Sequence, residues 1–393
     1  MKIENVRAYV VENPWNPWFF VEVTTDDGLT GVGEGAGYHW SQANVAYLEQ
    51  NKKELFIGFD PHDIEAMILR ARRMLGIDRG LGMVERSVLS AVEIACWDIL
   101  GKHYNTPIYK LLGGQCRESI RVYANGWYND IDTKIPEQWF EKARRVAASG
   151  YTALKFDPFG KAYRNLDPPL FRHAVEVVRQ VRNAVGPDVG LIVEAHARFH
   201  IEAAIKVAKA IEPYDILWLE APILGYLGAA AHQEVVRRTG VPVGTDVAGI
   251  SDLVAALPFL TSGAAAVLQP DVGYSGGMLE VKKMGAVAEA VGAYIAPHQS
   301  LGPIVTAASI QVSLALPSFL TLERFEDFAY PAWCEDLVDG QQSLQGGIID
   351  APSAPGLGIT FHPEVATEHP LQGDRIINLL ADRWENRSGV VRR

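Results

Sequence analysis

One structural unit recurs through most of this chain: a short apolar run followed by an amphipathic helical pattern, as at 202–212 and 279–291. Strands that alternate with helices pair in parallel, because each crossover needs a helix to return the chain. Eight strands in roughly 205 residues predict a TIM-type barrel, whose functional residues lie at the carboxyl ends of the strands. The eight apolar runs lie at 120–125, 152–157, 191–196, 216–221, 242–247, 266–271, 294–299 and 320–325.

Six polar residues mark the ends of successive runs at nearly constant spacing. The gaps between them are 26, 26, 25, 27 and 25 residues, about the length of one strand–helix unit. Each therefore occupies the same place on its strand, and closure of the barrel would bring all six to one mouth. An isolated strand-end carboxylate is often only the N-cap of the next helix, but capping does not require Glu on an apolar strand such as 217–220. The six are Glu194, Glu220, Asp246, Asp271, His298 and Glu323.

The acidic members of this set indicate a bound cation. Converging carboxylates repel each other, and burying them together is costly unless a cation is present. Glu194, Glu220 and Asp246 follow one another on neighbouring predicted strands. Their hard oxygen ligands suit Mg²⁺ better than Zn²⁺. We therefore predict that these three residues bind Mg²⁺.

The remaining strand-end residues suit proton transfer. His298 follows Pro297 at one strand end, and Asp271 ends the strand before it. An Asp beside a His fixes the tautomer of the imidazole and raises its pKa, as a general base near neutral pH requires. Each residue alone would be typical of a structural or surface position, but six positions in phase indicate a site. Four more polar residues are predicted at the mouth: Lys155, Asp157, His196 and Arg198.

The chain outside the barrel pattern divides into an N-terminal domain and a C-terminal segment. Residues 2–11 and 18–25 are rich in β-forming residues, whereas 41–112 follow a helical pattern that ends at Gly113-Gly114. The final segment is too small to fold alone, and we expect it to pack back on the first domain. The predicted division is 1–117 for an α+β domain, 118–345 for the barrel and 346–393 for the C-terminal segment.

Charge and composition exclude several classes of function. The 393 residues include 36 Lys+Arg against 47 Asp+Glu, a net charge of −11, and no basic cluster. This charge distribution excludes the basic surface of a nucleic-acid-binding protein, and it disfavours binding to an anionic membrane surface. No run approaches the roughly 18 apolar residues that span a bilayer, and the charged N-terminus does not resemble a secretory signal. Cys96, Cys116 and Cys334 suit neither a disulfide framework nor a CxxC metal site, so we expect a cytoplasmic enzyme.

Seven short motifs occur in order along the chain. They are Gly31-Val32-Gly33-Glu34, Ala95-Cys96-Trp97-Asp98-Ile99-Leu100-Gly101-Lys102, Leu111-Leu112-Gly113-Gly114, Trp218-Leu219-Glu220-Ala221-Pro222, Leu268-Gln269-Pro270-Asp271 with Gly276-Gly277, Ala296-Pro297-His298 with Leu301-Gly302-Pro303, and Pro355-Gly356-Leu357-Gly358. Any one motif is weak, but the set in this order is specific. It resembles the enolase superfamily, in its mandelate racemase and muconate lactonizing branch, over essentially the whole chain.

Within that branch, three further motifs are most similar to gluconate/galactonate-type sugar-acid dehydratases. They are Tyr123-Ala124-Asn125-Gly126-Trp127-Tyr128, Leu154-Lys155-Phe156-Asp157-Pro158-Phe159-Gly160 and Glu194-x-His196-x-Arg198-Phe199. The resemblance implies a (β/α)7β modified TIM barrel with an α+β capping domain formed by the N-terminal region and the C-terminal segment. It also implies that residues 15–45 close over the substrate, which makes Trp18, Tyr38 and His39 candidate substrate-binding residues.

Two positions depart from the pattern of the superfamily. Racemases and muconate-type cycloisomerases usually carry Lys-x-Lys on the second barrel strand, where the second Lys is a base, but Asp157 stands there in this chain. The departure disfavours a two-base racemase and leaves His298 as the better base. The third metal ligand is usually a Glu directly after a Gly, whereas Thr245 lies between Gly244 and Asp246 here.

The resemblance implies Mg²⁺-dependent dehydration of an aldonic acid to a 2-keto-3-deoxy acid through an enediolate. His298, paired with Asp271, would remove the C2 proton, whose acidity the metal raises. His196 would protonate the C3 hydroxyl as it leaves, or His298 would do so itself in a syn elimination. Lys155 and Glu323 would hold the substrate carboxylate.

Other expectations concern substrate contacts, partners and rival functions. Arg198 and Asp157 are expected beside the substrate, and the partner is a small sugar acid, with no nucleic acid and no membrane. Proteins of this kind commonly form homo-oligomers. A sugar-acid epimerase or lactone cycloisomerase would use the same metal and enediolate without losing water. A metal-binding scaffold without turnover would give no reason for His298, Asp271 and His196 all to lie at strand ends.

Overall fold

The computed structural model describes residues 1–13, 15–75, 81–245 and 250–372. The N-terminal region, hereafter the cap, is an antiparallel sheet covered by helices. Its strands are β1 (Ile3–Val11), β2 (Trp18–Thr25) and β3 (Thr30–Gly35). Its helices within the described ranges are α1 (Ser41–Leu55), α2 (Ile64–Leu75), α3 (Met83–His103) and α4 (Ile108–Leu111).

Strand β3 lies directly against α3 because alternate residues of the strand have no side chain. A Cβ at Gly31, Gly33 or Gly35 would come within 1.8–2.2 Å of a backbone carbonyl oxygen of α3. Successive residues of a strand point to opposite faces, so the residue between the last two glycines points away from α3. That residue is Glu34, which is fully buried where the cap meets the barrel.

The barrel alternates strands with helices, as predicted. The strands are β4 (Ser119–Ala124), β5 (Ala153–Phe156), β6 (Gly190–Glu194), β7 (Ile216–Glu220), β8 (Val243–Thr245), β9 (Val267–Leu268), β10 (Tyr294–Ile295) and β11 (Leu322–Arg324). The helices between them are α5 (Pro136–Ala148), α6 (Pro168–Val185), α7 (Ile201–Ile211), α8 (Gly228–Arg238), α9 (Leu253–Ser262), α10 (Met278–Val291) and α11 (Pro303–Leu314). None of the described helices combines the length and apolar character that crossing a membrane requires.

These eight parallel strands close into a ring. Their order is β10-β9-β8-β7-β6-β5-β4-β11. The segment before β11 closes the gap to β10, because the Ile295 N–H donates to the Ser318 carbonyl at 2.9 Å and the Leu320 N–H donates to the Ile295 carbonyl at 2.8 Å. Seven helices between eight strands in the described ranges confirm the (β/α)7β barrel.

Two layers of side chains fill the barrel at its carboxyl end. The lower, apolar layer contains Tyr123, Ala153, Ile192, Trp218, Val267 and Ala296. Residues two positions further along a strand point the same way, so the next layer comes from the same inward face. That layer contains Asn125, Lys155, Glu194, Glu220, Gln269 and His298. The period of the strands therefore places a polar layer directly above an apolar one.

The C-terminal segment contacts both the barrel and the cap, as expected. Strand β13 (Ile348–Asp350) pairs antiparallel with β4, while Pro107 bridges Gly356 and Val11 bridges Pro370. The division at residues 117 and 345 stays a prediction. The remaining elements of this region are α12 (Glu326–Ala329), α13 (Pro363–Glu368) and a small sheet of β12 (Val338–Asp339) with β14 (Thr360–Phe361).

Candidate active site

Three carboxylates surround one ammonium group at the mouth of the barrel. Lys155 Nζ lies 3.2 Å from Glu194 Oε2 and 3.1 Å from Glu323 Oε1. It also donates a hydrogen bond to Glu220 Oε1. Each of the four side chains is at most 3 % exposed. Burial opposes the charge of Lys155, but Glu220 and Glu323 outweigh it and hold the pKa of Lys155 well above its ordinary value.

Glu194 and Glu220 are paired residues on the neighbouring parallel strands β6 and β7. Burial, together with the charge of Glu194, raises the pKa of Glu220 to about 7, although Lys155 opposes the rise. Two side chains steady the same carboxylate: Gln269 Nε2 donates to Glu220 Oε2 at 2.6 Å, and Trp218 Nε1 donates to it at 3.1 Å. The two acidic groups are thus crowded together by the sheet register itself.

This donor set fits a hard divalent cation. Carboxylate oxygens are the ligands that Mg²⁺ prefers, and a cation would relieve the crowding that raises the pKa of Glu220. The third predicted ligand, Asp246, lies outside the described residues. Within the described ranges, no group of three or more His, Cys, Asp and Glu side chains is arranged to hold a metal. Glu194 and Glu220 are therefore adjacent as predicted, and the role of Asp246 stays a prediction.

His298 and Asp271 form a buried pair beyond the ends of β10 and β9. Nδ1 of His298 lies 2.7 Å from Oδ2 of Asp271, and its Nε2 lies 3.9 Å from Oε2 of Glu323. Burial opposes a positive charge on the imidazole, but Glu323 and the hydrogen bond to Asp271 outweigh it and raise the pKa of His298 to about 9. The Gly273 N–H donates to Asp271 Oδ1 at 2.8 Å, which fixes the carboxylate.

A second His–carboxylate pair lies beyond the ends of β6 and β5. Nδ1 of His196 is 2.7 Å from Oδ2 of Asp157. The guanidinium of Arg198 binds the same carboxylate oxygen and donates to the carbonyl of Ala195 at 2.9 Å. Burial opposes ionisation of Asp157, but the charge of Arg198 and the hydrogen bond with His196 outweigh it and lower the pKa of Asp157.

Asp157 and Arg198 contact each other and the wall of the mouth, and their expected contact with the substrate stays a prediction. Asp157 binds His196 and Arg198 and also accepts the Phe159 N–H at 2.9 Å. Arg198 is only 7 % exposed and donates to a second backbone carbonyl, that of Gly160. Because their polar groups are occupied by each other and by the backbone, the two side chains hold His196 in place.

The two imidazoles lie on opposite walls of the mouth. Strands β6 and β10 are four places apart in the eight-stranded ring, so they are diametrically opposed. The carboxylate cluster spans the space between them. Glu194 accepts the His196 N–H at 2.5 Å on one side, and Glu323 lies next to His298 on the other. Lys155 contacts both of these carboxylates.

Three polar residues that the sequence reasoning did not select complete the site. Asn125 Nδ2 donates to Glu323 Oε1 at 2.6 Å, and the Gln299 N–H donates to Glu323 Oε2 at 2.9 Å. The third, Gln269, binds Glu220. A signal for Asn125 and Gln269 was present, because each lies two positions after an inward apolar residue, in phase with Lys155 and Glu220.

Backbone strain is concentrated where strands turn into the mouth. Tyr38, His196, Ala197 and Ala221 have φ of 35°, 47°, 56° and 40°, a region that residues with a side chain rarely adopt. Hydrogen bonds compensate: the Ala197 N–H donates to the Ala221 carbonyl at 2.7 Å, and the His196 N–H donates to Glu194. The turn after β6 thereby directs the imidazole of His196 toward Asp157.

The cap contributes Tyr38 to the site. Its phenol lies beside Ser300 in the loop after His298. Burial and the nearby charge of Asp271 raise the pKa of the Tyr38 phenol. The neighbouring His39 is exposed and lies edge-on to Trp40, with ring centroids 6.4 Å apart. Tyr38 therefore lies beside the predicted base, while His39 faces solvent.

The placement of Trp18 corrects the expectation that it contacts the substrate. Trp18 is 1 % exposed. Its ring packs against Phe20, Tyr330 and Trp333, with centroids at 5.8, 4.9 and 6.2 Å. A large aromatic side chain enclosed in this way stabilises the core by burial, and it leaves too little surface for a ligand contact. Trp18 joins the cap to the chain beyond the barrel.

Comparison with known proteins agrees with this geometry. Residues 138–365 match the model for the enolase C-terminal domain-like family, and residues 13–113 match that for the mandelate racemase / muconate lactonizing enzyme N-terminal domain. D-gluconate/D-galactonate dehydratase of Picrophilus torridus is 36% identical over 391 residues, 97% of each chain. D-gluconate dehydratase of Thermoproteus tenax is 33% identical over 379 residues, 95% of this chain and 75% of the relative.

The crystal structure of a mandelate racemase/muconate lactonizing enzyme from Jannaschia sp. CCS1 has a TM-score of 0.89 and 34% sequence identity. The match covers 95% of this chain and 99% of that one. Fold and site thus define an enzyme of the enolase superfamily. Within it, the chain belongs to the mandelate racemase / muconate lactonizing enzyme family, and it is a hydro-lyase, a dehydratase.

Proposed function

We propose that this enzyme dehydrates an aldonic acid to a 2-keto-3-deoxy acid through an enediolate, with Mg²⁺ held by Glu194, Glu220 and Asp246. The observation that carries the proposal is the pair of His–carboxylate dyads on opposite walls of a mouth lined with acidic groups. Loss of water across C2 and C3 requires removal of a proton from C2 and protonation of the hydroxyl that leaves C3. Two separately held imidazoles suit these two proton transfers.

His298 acts as the base in this proposal. Its Nδ1 donates a hydrogen bond to Asp271, so Nε2 is the atom that takes the C2 proton. The imidazolium that forms is stabilised by Asp271 and by Glu323, which lies 3.9 Å from Nε2. The raised pKa of His298, about 9, reflects the same two groups and agrees with a strong proton acceptor.

His196 acts as the acid. Its Nδ1 contacts Asp157, so Nε2 is the atom that gives a proton to the departing C3 hydroxyl. An acid on the wall opposite the base predicts that the C2 proton and the C3 hydroxyl leave from opposite faces of the substrate. If His298 performed both transfers, the elimination would instead be syn.

Lys155 binds the substrate carboxylate. It is the cationic side chain of the acidic cluster, and Glu323 holds it at 3.1 Å. Glu323 is itself fixed by Asn125 and by the Gln299 N–H, so it sets the position of Lys155 relative to the base. When bound, Mg²⁺ neutralises the substrate carboxylate and stabilises the negative charge that develops on it as the C2 proton leaves.

The relatives support an aldonic acid as substrate. Those at 30–36% identity over most of the chain are named dehydratases of D-gluconate, D-galactonate and D-xylonate. These compounds share the carboxylate, the C2 proton and the C3 hydroxyl that the proposed groups require, and they differ in length or configuration further along the chain.

The proposal also places the enzyme in the cytoplasm as a homo-oligomer. The acidic net charge of −11, which disfavours an anionic membrane surface, supports the location. Fractionation of the source cells tests the location, and light scattering on the purified chain tests the assembly. A monodisperse monomer would contradict the oligomer.

A substrate screen tests the function. The purified chain is incubated with C5 and C6 aldonic acids and with aldaric acids, in Mg²⁺ or in EDTA, and 2-keto-3-deoxy products are detected with a carbonyl reagent. We expect Mg²⁺-dependent carbonyl formation from one or two aldonates. A His298→Asn variant prepared in parallel controls for contaminating activity.

The same samples in D₂O distinguish the alternatives. Deuterium at C2 without loss of water would contradict the dehydratase and indicate an epimerase or a lactone cycloisomerase. Neither exchange nor carbonyl formation with any acid would contradict the substrate class.

A further inference from the structure

Three carboxylates of the cap are fully buried: Glu34 in β3, and Glu93 and Asp98 in α3. Each accepts hydrogen bonds from backbone N–H groups elsewhere in the chain. They lie outside the set of groups that the proposed reaction uses. The residues facing them are glycines at which a Cβ would come within 2.1–2.7 Å of the carboxylate: Gly302, Gly277 and Gly356.

Glu34 caps the helix that follows the His298 loop. The Gly302 N–H donates to Oε1 of Glu34, and the Val305 N–H donates to Oε2 at 2.9 Å. These groups belong to the first turn of α11, whose N–H groups have no partner inside the helix. Burial raises the pKa of the Glu34 carboxyl to about 8, although these two N–H donors oppose the rise. The two hydrogen bonds join the cap strand β3 to the start of α11.

The loop between His298 and α11 connects the Glu34 contact with the mouth through hydrogen bonds. The Gln299 N–H donates to Glu323 Oε2 at 2.9 Å, and its side-chain amide donates to the Gly302 carbonyl at 3.1 Å. Glu34 holds the N–H of the same Gly302. The loop is therefore tied to Glu323 next to His298 and to the cap at its far end, with only three residues between His298 and Gly302.

Glu93 makes the equivalent contact one helix earlier. The N–H groups of Met278 and Leu279, in the first turn of α10, donate to its two oxygens at 2.9 Å each. Ser90, on the same helix α3, accepts the Gly276 N–H at 2.9 Å. The end of the loop that begins at Asp271 is therefore fixed to the cap.

A third contact lies closer to the catalytic carboxylate. The Ala36 N–H, directly after β3, donates to the Gly273 carbonyl at 2.9 Å. The Gly273 N–H in turn donates to Asp271 Oδ1 at 2.8 Å. One residue, Gly273, thus connects the cap strand to the carboxylate that orients His298.

We propose that Glu34 and Glu93 are positioning residues for the reaction: from the cap, they hold the two loops that carry His298 and Asp271 at the separation and orientation that proton removal needs. The assignment rests on the function proposed above, in which His298 is the base and Asp271 orients it. Both loops are docked on the cap by buried carboxylates, so the base is formed by the barrel but its geometry is set across the interface. Proton transfer is sensitive to such geometry, because misplacement by about 1 Å can cost two orders of magnitude.

Amide variants give a sharp test. Glu34→Gln and Glu93→Gln keep the size of the side chain, but each presents an NH₂ group where at least one N–H group now donates, and so loses at least one hydrogen bond. Glu93 Oε1 accepts Trp97 Nε1 at 2.7 Å as well as the Leu279 N–H. Neither variant alters a group that touches the substrate.

Asp98 provides a matched control. It is equally buried and accepts the N–H groups of Val32 at 3.1 Å and Leu357 at 2.9 Å, with Lys102 Nζ at 2.7 Å. These partners belong to the cap and the C-terminal segment. The backbone partners of Glu34 and Glu93 lie instead at the helix starts that end the loops carrying His298 and Asp271. Asp98→Asn therefore removes a comparable buried bond elsewhere.

The experiment measures the thermal unfolding midpoint, kcat, KM and the pH dependence of kcat/KM for the three full-length variants in Mg²⁺ with the aldonate found in the screen. We expect all three to unfold a few degrees below the wild type. We expect kcat to fall about tenfold in Glu34→Gln and Glu93→Gln, with KM within twofold and a displaced ascending limb of the pH profile. Asp98→Asn should keep kcat and the pH profile.

Equal losses of kcat in all three variants, or unchanged kcat in Glu34→Gln and Glu93→Gln, would overturn the proposal. An NMR titration of the ¹⁵N-labelled His298 imidazole without substrate tests the positioning role separately from the proposed function, because that measurement needs no turnover. If the wild type dehydrates no aldonate, the proposed function fails. The positioning role then still stands or falls on whether the His298 titration moves in Glu34→Gln and stays in Asp98→Asn.

A milder change covers the case in which Glu34→Gln does not fold. Glu34→Asp keeps the carboxyl group but shortens the reach to the Gly302 and Val305 N–H groups. We expect it to lower kcat less than Glu34→Gln does and to leave KM unchanged. A variant with wild-type kcat and a wild-type His298 titration would also overturn the proposal.

Discussion

The two His–carboxylate dyads share one hydrogen-bond geometry and differ in what surrounds it. In both, Nδ1 of the imidazole lies 2.7 Å from a buried Asp oxygen. The side chain of His298 is 14% exposed, and a carboxylate, Glu323, lies 3.9 Å from its Nε2. The side chain of His196 is 32% exposed, and a guanidinium nitrogen of Arg198 lies 3.4 Å from its Nδ1.

In the proposed reaction these similar groups have opposite tasks. A negative neighbour favours the imidazolium, so His298 gains affinity for a proton and suits the base. The supports differ as well, since Asp271 is fixed by the Gly273 N–H of a loop docked on the cap, whereas Asp157 is fixed by Arg198 within the barrel. One dyad thus depends on the cap and the other on a local ion pair.

The largest expected effect is the loss of the base. His298→Asn should lower kcat by about 10³-fold, near the middle of the range that general base catalysis contributes. It should also abolish deuterium incorporation at C2 in D₂O, because the same step is blocked. Product assay and NMR of the recovered substrate measure both. Persistent exchange in a folded variant would assign the base elsewhere.

The second effect should separate the dyads. His196→Asn should slow formation of the 2-keto-3-deoxy product by about 10²-fold while exchange at C2 continues, because the acid acts on C3 only. The ratio of exchange to product is therefore the quantity to measure. Unchanged product formation would show that His298 performs both proton transfers, and joint loss of both signals would show that the tasks are shared.

A smaller effect concerns the pH dependence of the base. A base must be unprotonated, so kcat/KM should rise with pH toward the His298 pKa of about 9 and level off above it. Asp271→Asn removes one of the groups that raise this pKa, so the ascending limb should move to lower pH. Asp157→Asn should leave the limb in place. Equal displacement of the ascending limb in both variants would contradict the separate roles of the two dyads.

The smallest effect is on stability. The folded-state pKa of His298 is raised from an ordinary value near 6.5 to about 9, so its contribution to stability is fully present below about 6.5 and is lost as pH rises through about 9. The difference in unfolding midpoint between the wild type and His298→Asn, measured in EDTA, should therefore shrink across this window. A constant difference would contradict the raised pKa.

Much of the barrel and its mouth can be predicted from the sequence, because strand length and the alternation of side chains along a strand depend on residues that are close together in the chain. The 25–27-residue spacing fixes one unit per strand, and alternation along a strand puts Lys155, Glu194 and Glu220 on the inward face. Those three side chains meet at the mouth, as predicted. The same rule would have found Asn125 and Gln269, since both stand in phase with the predicted set.

Contacts made by loops were beyond this reasoning. The strained turn at His196 and Ala197 brings Asp157 and Arg198 to each other and to the imidazole, and the sequence reasoning did not predict these contacts. Left-handed backbone at residues with side chains is set by surrounding contacts, which the local sequence does not encode. Trp18 was misplaced for a related reason, because an aromatic residue near the mouth in sequence can equally well be enclosed in the core.

The sequence by itself determined the repeating units, the ring they close into and the layer of polar residues at its carboxyl end, because these depend on periods of two and of about 26 residues along one chain. Tertiary structure alone decided that Asp157 holds His196 and how the cap is joined to the loops that carry His298 and Asp271. Glu34 and Glu93 lie 271 and 185 residues from backbone N–H groups that they bind. Such partners are chosen by the packing of whole domains, and no local pattern records them.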